Sequence, residues 1–465
     1  MDFTTGGRNV ALADFNGDGE TDLLLGAPQA DGPASRRPDA GHAYVILGPL
    51  RGDVDLLTDR ADVTIYGQSP GDNLGFAVLA ADLNGDGSDD IIVGAPGVTA
   101  GFDPRTDQGR AYVFFGGPHL RRGAEFDLAE DVFDFTVTGA EGFSRLGHTL
   151  EAGDVNGDGL ADLVVGAPFA GREPGSPPGS PRTALGEVYV IFGSPNLAGE
   201  MNIARLEYDV LLGGAEAFGQ FGASIAVGDL NGDGLSDIAV GAHRSSAGAG
   251  REASGAVYVF AGSRNLSGRL SVEDGAQDFT VLGPTAGAGL GLPLAIGDFN
   301  GDGNGDLAVG SQTESLPAEG TARGAIRFLF GGPSLERRLD LSAVSADVTI
   351  RGPAPGLLFP TSLAVLSREG PDLLFAGLQL GTHDPTRSGA GVVYRIEIGS
   401  DASPEIDPAK LPLLAVGRPA NRLGGALTVG PVRNGRALLA VLAAGASAAD
   451  DRPETGAIYV LVQEA

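Results

Sequence analysis

Asp82-Leu-Asn-Gly-Asp-Gly-Ser-Asp-Asp90, followed at once by Ile91-Ile-Val-Gly-Ala-Pro96, is the stretch on which the reading of this chain turns. An acidic, glycine-bearing turn runs straight into a short apolar run, the signature of a loop feeding a buried strand. The same frame recurs at Asp14–Asp22, Asp154–Asp162, Asp229–Asp237 and Asp298–Asp306, with first residues 68, 72, 75 and 69 apart. A period of this size marks a repeat architecture and must be recognised before any domain count.

The frame extends beyond the turn. An apolar stretch precedes it, as in Phe76-Ala-Val-Leu-Ala80 or Ala223-Ser-Ile-Ala-Val227. A third run follows a loop of variable length: Tyr44-Val-Ile-Leu-Gly48, Tyr112-Val-Phe-Phe-Gly116, Tyr189-Val-Ile-Phe-Gly193, Tyr258-Val-Phe-Ala-Gly262 and Phe328-Leu-Phe-Gly331. A fourth closes the unit, as in Asp62-Val-Thr-Ile-Tyr-Gly67 or Asp134-Phe-Thr-Val-Thr-Gly139. Four short Val/Ile/Phe/Tyr/Thr runs per unit, none with a sustained helical period, predict an all-β chain of four-stranded blades.

Two further units keep the strand pattern without the acidic turn. In one, Leu363-Ala-Val-Leu366, Asp372-Leu-Leu-Phe375, Val393-Tyr-Arg-Ile396 and Leu413-Leu-Ala-Val416 surround a turn reduced to Ser367–Asp372. In the other, Ala426-Leu-Thr-Val429, Leu438-Leu-Ala-Val-Leu442 and Ile458-Tyr-Val-Leu461 stand without a fourth run. Intact repeats in about 7–352 and degenerate ones in about 357–465 predict a single seven-bladed β-propeller over 1–465. Asp2-Phe-Thr-Thr-Gly6 reads like Asp134-Phe-Thr-Val-Thr-Gly139, so residues 2–5 are expected to complete the last blade and close the ring.

The turns themselves carry the chemistry. Counting the first Asp as position 1, side-chain oxygens fall at positions 1, 3, 5 and 9 and a backbone carbonyl at 7. These are Asp14, Asn16, Asp18, Glu20 and Asp22 in the first copy, and Asp82, Asn84, Asp86, Ser88 and Asp90 in the second. The third has Asp154, Asn156, Asp158, Leu160 and Asp162, and the fourth Asp229, Asn231, Asp233, Leu235 and Asp237. The fifth has Asp298, Asn300, Asp302, Asn304 and Asp306. Oxygen donors on a wrapping loop suit Ca²⁺, whereas Mg²⁺ demands a stricter, hydrated octahedron. No His or Cys lies in the turns, which argues against zinc and copper. An EF-hand would need Glu at position 12, where this chain has Leu25, Val93, Val165, Val240 and Val309. About five structural calcium ions are therefore expected. The competing view, that these Asp residues only form turns, would suit one Asn-Gly-Asp-Gly but not five full matches. The ligands nearly fill the shell, so catalysis by calcium is not expected, and the chain is read as no enzyme.

At this point the pattern resembles the FG-GAP repeat of integrin α-subunit propellers. The first half appears as Phe221-Gly222, Leu74-Gly75, Leu146-Gly147 and Leu290-Gly291. The second appears as Gly26-Ala-Pro28, Gly94-Ala-Pro96 and Gly166-Ala-Pro168, drifting to Gly241-Ala-His243 and Gly310-Ser-Gln312. The resemblance implies seven blades, calcium loops between the first and second strands on one face, and ligand contact through loops on the opposite face. Integrin propellers carry calcium in a few C-terminal blades, whereas here repeats one to five keep the acidic turn. Similar repeats occur in bacterial secreted proteins and in a phospholipase D acting on glycosylphosphatidylinositol anchors. The Ala-, Gly- and Arg-rich composition without Cys or Trp fits a bacterial source.

A net charge of −29 repels nucleic acid and anionic membranes. No apolar run reaches the ~18–20 residues of a membrane span. Met1-Asp-Phe-Thr-Thr5 is no signal peptide, so the expected extracellular or cell-surface setting requires a removed leader or an excised domain. Five histidines in different phases of the repeat suggest no metal cluster. Arg51-Gly-Asp53 spells a tripeptide that integrins recognise, though a Gly/Asp-rich chain produces it easily by chance. The long second-to-third connections each carry Arg (Arg36, Arg37, Arg105, Arg182, Arg244, Arg323, Arg387, Arg452) amid acidic residues. The expected function is an extracellular protein-binding or adhesion module, a monomeric propeller that meets a protein or matrix ligand through loops opposite the calcium face. The alternatives are a carbohydrate-binding or enzyme-associated propeller, and a purely structural surface part. The absence of Trp and the siting of most aromatics in strand runs weigh against sugar binding.

Overall fold

The computed structural model describes residues 9–50, 61–98, 107–140, 142–171, 184–315, 322–333, 338–354, 357–379, 390–400, 402–416, 423–430, 436–446 and 455–464. Residues 2–5 and 51–53 lie outside these, as do Arg105, Arg182, Arg387 and Arg452. The described residues up to Gly222, with Ser263–Asp274, form one compact unit; Ala223–Gly262 with the described residues from Gly275 onward form another.

The second repeat shows how a blade is built. Ala77–Ala81, Asp90–Ala95, Arg110–Phe114 and Phe135–Thr138 pair antiparallel in chain order, with Val78 opposite Val93, Ile92 opposite Val113 and Tyr112 opposite Thr136. The second strand is buried along its whole length. That is why Ile91-Ile-Val reads as an unbroken apolar run instead of an alternating one. Packing lies between neighbouring sheets: Leu24, Val45 and Ile65 of the first repeat share a cluster with Val78, Ile91 and Phe114 of the second. Ala308, Ile326 and Phe328 likewise share one with Leu363, Leu374 and Ile396. Each fully buried aliphatic side chain of this kind contributes about 1.5–3 kcal/mol.

The backbone explains the Phe-Gly and Gly-Ala-Pro signatures. Gly94, on the second strand of one repeat, faces Gly147 of the next; a Cβ on Gly94 would lie 2.0 Å from the Gly147 carbonyl oxygen. Gly26 against Gly75 and Gly241 against Gly291 repeat this approach at the same distance. Any side chain there would force the two sheets apart.

The expectation of seven four-stranded blades is corrected. Among the described residues there are six blades of four or five strands, and the last repeat forms a three-stranded sheet, Leu423–Val429, Arg436–Ala446 and Thr455–Glu464. Five blades gain a fifth strand, because the connection between third and fourth strands of each following repeat folds back and pairs in parallel with the previous outer strand. Thus Ala124–Asp127 pairs with Val63–Tyr66, and Gly199–Asn202 with Phe135–Thr138. Gly268–Ser271, Arg338–Asp340 and Glu405–Ile406 do the same for the next three blades. The sixth blade keeps four strands: Ser362–Leu366, Leu373–Leu378, Val392–Ile396 and Leu413–Val416. The strand expected to close the last repeat, residues 2–5, falls outside the described residues.

Two of these added strands are fastened by arginine. Arg37 makes two 2.7 Å bonds to the Asp127 carboxylate and a third, also 2.7 Å, to the Gly67 carbonyl. Arg251 grips Asp340 at 2.6 and 2.7 Å and the Gly283 carbonyl at 3.1 Å. Both arginines stand five residues before a third strand. The Arg251 guanidinium, with Ser342, holds the Asp340 carboxyl far below the usual carboxylate range.

Candidate metal-binding loops and the loops at the other end of the blades

Each acidic turn joins the first two strands of a blade and repeats one hydrogen-bond scheme. The position-1 carboxylate accepts the N–H groups of positions 5 and 6: Asp14 from Asp18 at 3.1 Å and Gly19 at 2.8 Å, Asp229 from Asp233 at 3.1 Å and Gly234 at 2.8 Å. The position-3 amide oxygen accepts the position-5 N–H, as Asn84 does from Asp86 at 2.8 Å. The position-5 carboxylate accepts the position-7 N–H, as Asp158 does from Leu160 at 2.9 Å. A glycine with positive φ at position 6, such as Gly19 at 88° or Gly303 at 90°, lets the chain turn tightly enough for this. The turn is thus shaped by its own acceptors, and an ionised carboxylate retains lone pairs after accepting such bonds.

Position 9 differs from the rest. Asp22, Asp90, Asp162, Asp237 and Asp306 are buried. Each takes the position-2 N–H on one oxygen, as Asp22 does from Phe15 at 3.0 Å. The other oxygen takes the glycine N–H after the third strand, as from Gly48 at 2.6 Å or Gly116 at 2.9 Å. Burial pushes these carboxyls up, the backbone donors pull them partly back, and neighbouring acids of the turn push up again. The result is about 7 for Asp90 and about 6 for Asp22, Asp162, Asp237 and Asp306.

The donor set is carboxylate and amide oxygen throughout, which fits a hard cation. The Asn156 side-chain N–H₂ already points at two of those acceptors, Asp158 Oδ2 at 2.9 Å and Asp162 Oδ1 at 3.5 Å. An electropositive group is therefore drawn to the carboxylates of positions 5 and 9. Among the described residues no three His, Cys, Asp or Glu side chains are close enough together to hold a metal ion.

At the other end of the blades, the fourth-to-first connections place two residues that the sequence reading passed over. Phe143 and Phe218 are 53 % and 63 % exposed, and both adopt left-handed backbone, φ 58° and 60°. The matching positions in neighbouring repeats are Gly71 and Gly287, with φ 83° and 70°. Aromatic residues have thus replaced glycine where glycine is favoured, which costs conformational energy unless something repays it. Nearby, Arg145 lies 5.2 Å over the Phe169 ring, whose edge meets His148.

Propeller blades of which five carry an acidic nine-residue turn between their first two strands are the mark of FG-GAP repeats, and the FG-GAP repeat matches at residues 6–46, 74–114, 146–191, 221–260 and 294–329. Among individual proteins the chain is similar to the phosphatidylinositol-glycan-specific phospholipase D of Homo sapiens, 32 % identical over 57 % of this chain and 29 % of that protein. It is also similar to integrin alpha pat-2 of Caenorhabditis briggsae, 33 % identical over 51 % of this chain and 18 % of that protein. Integrin alpha-PS2 of Drosophila melanogaster is 30 % identical over 51 % of this chain and 15 % of that protein. The chain thus matches less than a third of the length of each relative. Among the described residues no helix is long and apolar enough to cross a membrane.

Proposed function

We propose that this chain is a calcium-stabilised, extracellular or cell-surface protein-binding module. The acidic turns hold calcium for structural purposes, and a protein ligand docks on the loops at the other end of the blades. Support for calcium comes from five turns with one oxygen donor set and one backbone scheme. The ligands are positions 1, 3, 5 and 9 with the position-7 carbonyl: Asp14, Asn16, Asp18, Glu20 and Asp22 in the first turn and their equivalents in the other four. Calcium at millimolar levels, as outside cells, suffices for loops of modest affinity. Bound there, the ion supplies positive charge that offsets the crowded carboxylates.

The observation that carries the docking face is the pair Phe143 and Phe218, exposed in left-handed backbone where other repeats have glycine. Aromatic side chains, Phe among them, are enriched at protein interfaces relative to the rest of the surface. A Phe143→Ala/Phe218→Ala variant should lose ligand capture in a cell-surface protein binding screen by at least about tenfold, in line with two interface anchors. Its calcium-loaded melting temperature should stay within a few degrees of the parent. Undiminished capture by that variant would remove the docking face from the proposal.

The similarity to a phosphatidylinositol-glycan-specific phospholipase D favours one second reading, a propeller that accompanies an enzyme or binds glycans. A glycan array separates the two: saturable glycan binding, with no protein captured, would replace the first reading by the second.

A further inference from the structure

Each acidic turn is held from outside by the blade that follows it. The position-2 carbonyl accepts the N–H just beyond the next repeat's third strand: Gly117 to Phe15 at 2.8 Å, Ser194 to Leu83 at 2.9 Å and Ser263 to Val155 at 2.9 Å. Gly332 to Leu230 at 2.7 Å and Gly399 to Phe299 at 3.0 Å complete the series. The position-1 carbonyl is gripped too, by the N–H of Asp89 on Asp14 at 3.3 Å, of Gly305 on Asp229 at 2.9 Å and of Asp372 on Asp298 at 2.7 Å. In two of these cases a side chain returns the bond. The Asp14 N–H donates to Asp89 Oδ2 at 3.2 Å, and the Asp298 N–H donates to Asp372 Oδ2 at 2.9 Å.

Asp372 belongs to the sixth repeat, whose own turn has shrunk to Ser367-Arg-Glu-Gly-Pro-Asp372 and lost the donors of positions 1, 3 and 5. Yet its carboxylate is buried, at 6 % exposure. It still accepts the Arg368 N–H at 3.2 Å and the Ser367 hydroxyl at 3.3 Å. A carboxylate buried without a cation of its own is costly and calls for a partner. Its partner is the backbone of Asp298, the first donor of the fifth turn.

We propose that Asp372 is a positioning residue for the fifth calcium turn, and that the degenerate sixth repeat is kept partly as the outer brace of its neighbour's ion site. This rests on the calcium reading above. Two reciprocal bonds fix the Asp298 backbone and therefore the direction of its Cα–Cβ bond. The Asp298 carboxylate is then steadied by the N–H groups of Gly301, Asp302 and Gly303 at 2.7, 3.0 and 2.9 Å, with lone pairs left toward the ion. Without Asp372, the Asp298 N–H loses a charge-assisted bond and the first ligand is free to swing.

The test is a calorimetric calcium titration of the full chain. The parent should fill five sites. Asp372→Ala should weaken one of them by about tenfold or more, the scale of a lost hydrogen bond to a charged group. Asp372→Asn keeps an acceptor for the Asp298 N–H and should restore most of that affinity, an outcome that guards against mere misfolding. In a background already carrying Asp298→Ala, the Asp372→Ala change should cost no further site. Five unchanged sites in Asp372→Ala, or equal losses in the Ala and Asn variants, would overturn the proposal. A parent that takes up no calcium would instead defeat the calcium reading itself.

Discussion

In excess chelator at about pH 7.5 the chain should melt roughly 10–30 °C lower than in millimolar calcium, and added calcium should restore it. An ion that binds only the folded state at a hundredfold over its Kd contributes about 2.7 kcal/mol. The first three turns lie in one compact unit and the fourth and fifth in the other, so each unit gains from two or three ions. For units of roughly 200 residues, each kcal/mol moves the midpoint by about 2–4 °C. Scanning calorimetry with and without chelator reads the difference directly. Coincident melts would show that the turns stabilise nothing through an ion.

The same experiment has a pH signature whose sign is set by position 9. In the ion-free fold, burial raises Asp90 to about 7 and Asp22, Asp162, Asp237 and Asp306 to about 6, above an ordinary value of 3.8. The folded state thus binds these protons more tightly than the unfolded chain. Their contribution is fully present below about pH 4 and is lost as pH rises through 6 to 7. The ion-free chain should therefore melt progressively lower from about pH 5 to pH 7.5. Calcium competes with those protons, so the loaded chain should not follow, and the gap between the two melts should widen over that window. A gap constant with pH would exclude the position-9 carboxylates from the ion's shell.

What the sequence made legible, and what it hid, divides by range. The five acidic turns and the second strands were legible because the signal is local: ligand spacing within nine residues, and apolar runs such as Leu163-Val-Val165 buried on both faces. The fifth strands were not. Ala124-Glu-Phe-Asp127 and Gly199-Glu-Met-Asn202 are short and half-exposed, so neither an apolar run nor clean alternation marks them. They exist because they pair with an outer strand about 60 residues earlier in the chain. Phe143 and Phe218 escaped for another reason. An exposed Phe in a loop carries no pattern until the repeats are superposed and its neighbours prove to be glycine with positive φ. Asp372 looked like the remnant of a lost ion site; only its bond to the Asp298 N–H shows what it holds.

Replacing Glu314 by Ala should cost about 3–5 kcal/mol, the largest effect expected from a single side chain away from the acidic turns. Third strands carry Tyr at one position in six of these repeats: Tyr44, Tyr112, Tyr189, Tyr258, Tyr394 and Tyr459. The fifth repeat has Arg327 there, buried on the strand Ala325–Leu329. Its guanidinium meets both oxygens of Glu314 at 2.6 and 2.7 Å and the Ser311 hydroxyl at 3.1 Å, with side chains only 6 % and 7 % exposed. Arg351, on the adjoining strand, reaches the same carboxylate at 3.3 Å. Two guanidinium groups thus share one buried anion. Removing it leaves Arg327 charged, desolvated and held by a neutral hydroxyl, because an arginine cannot shed its proton to escape. Denaturant unfolding would measure the loss. Arg327→Tyr combined with Glu314→Gln restores the residue used by the other repeats and removes the charge pair together, so it should recover most of the stability. A Glu314→Ala variant within about 1 kcal/mol of the parent, the worth of an exposed pair, would mean that water reaches Arg327 despite its burial.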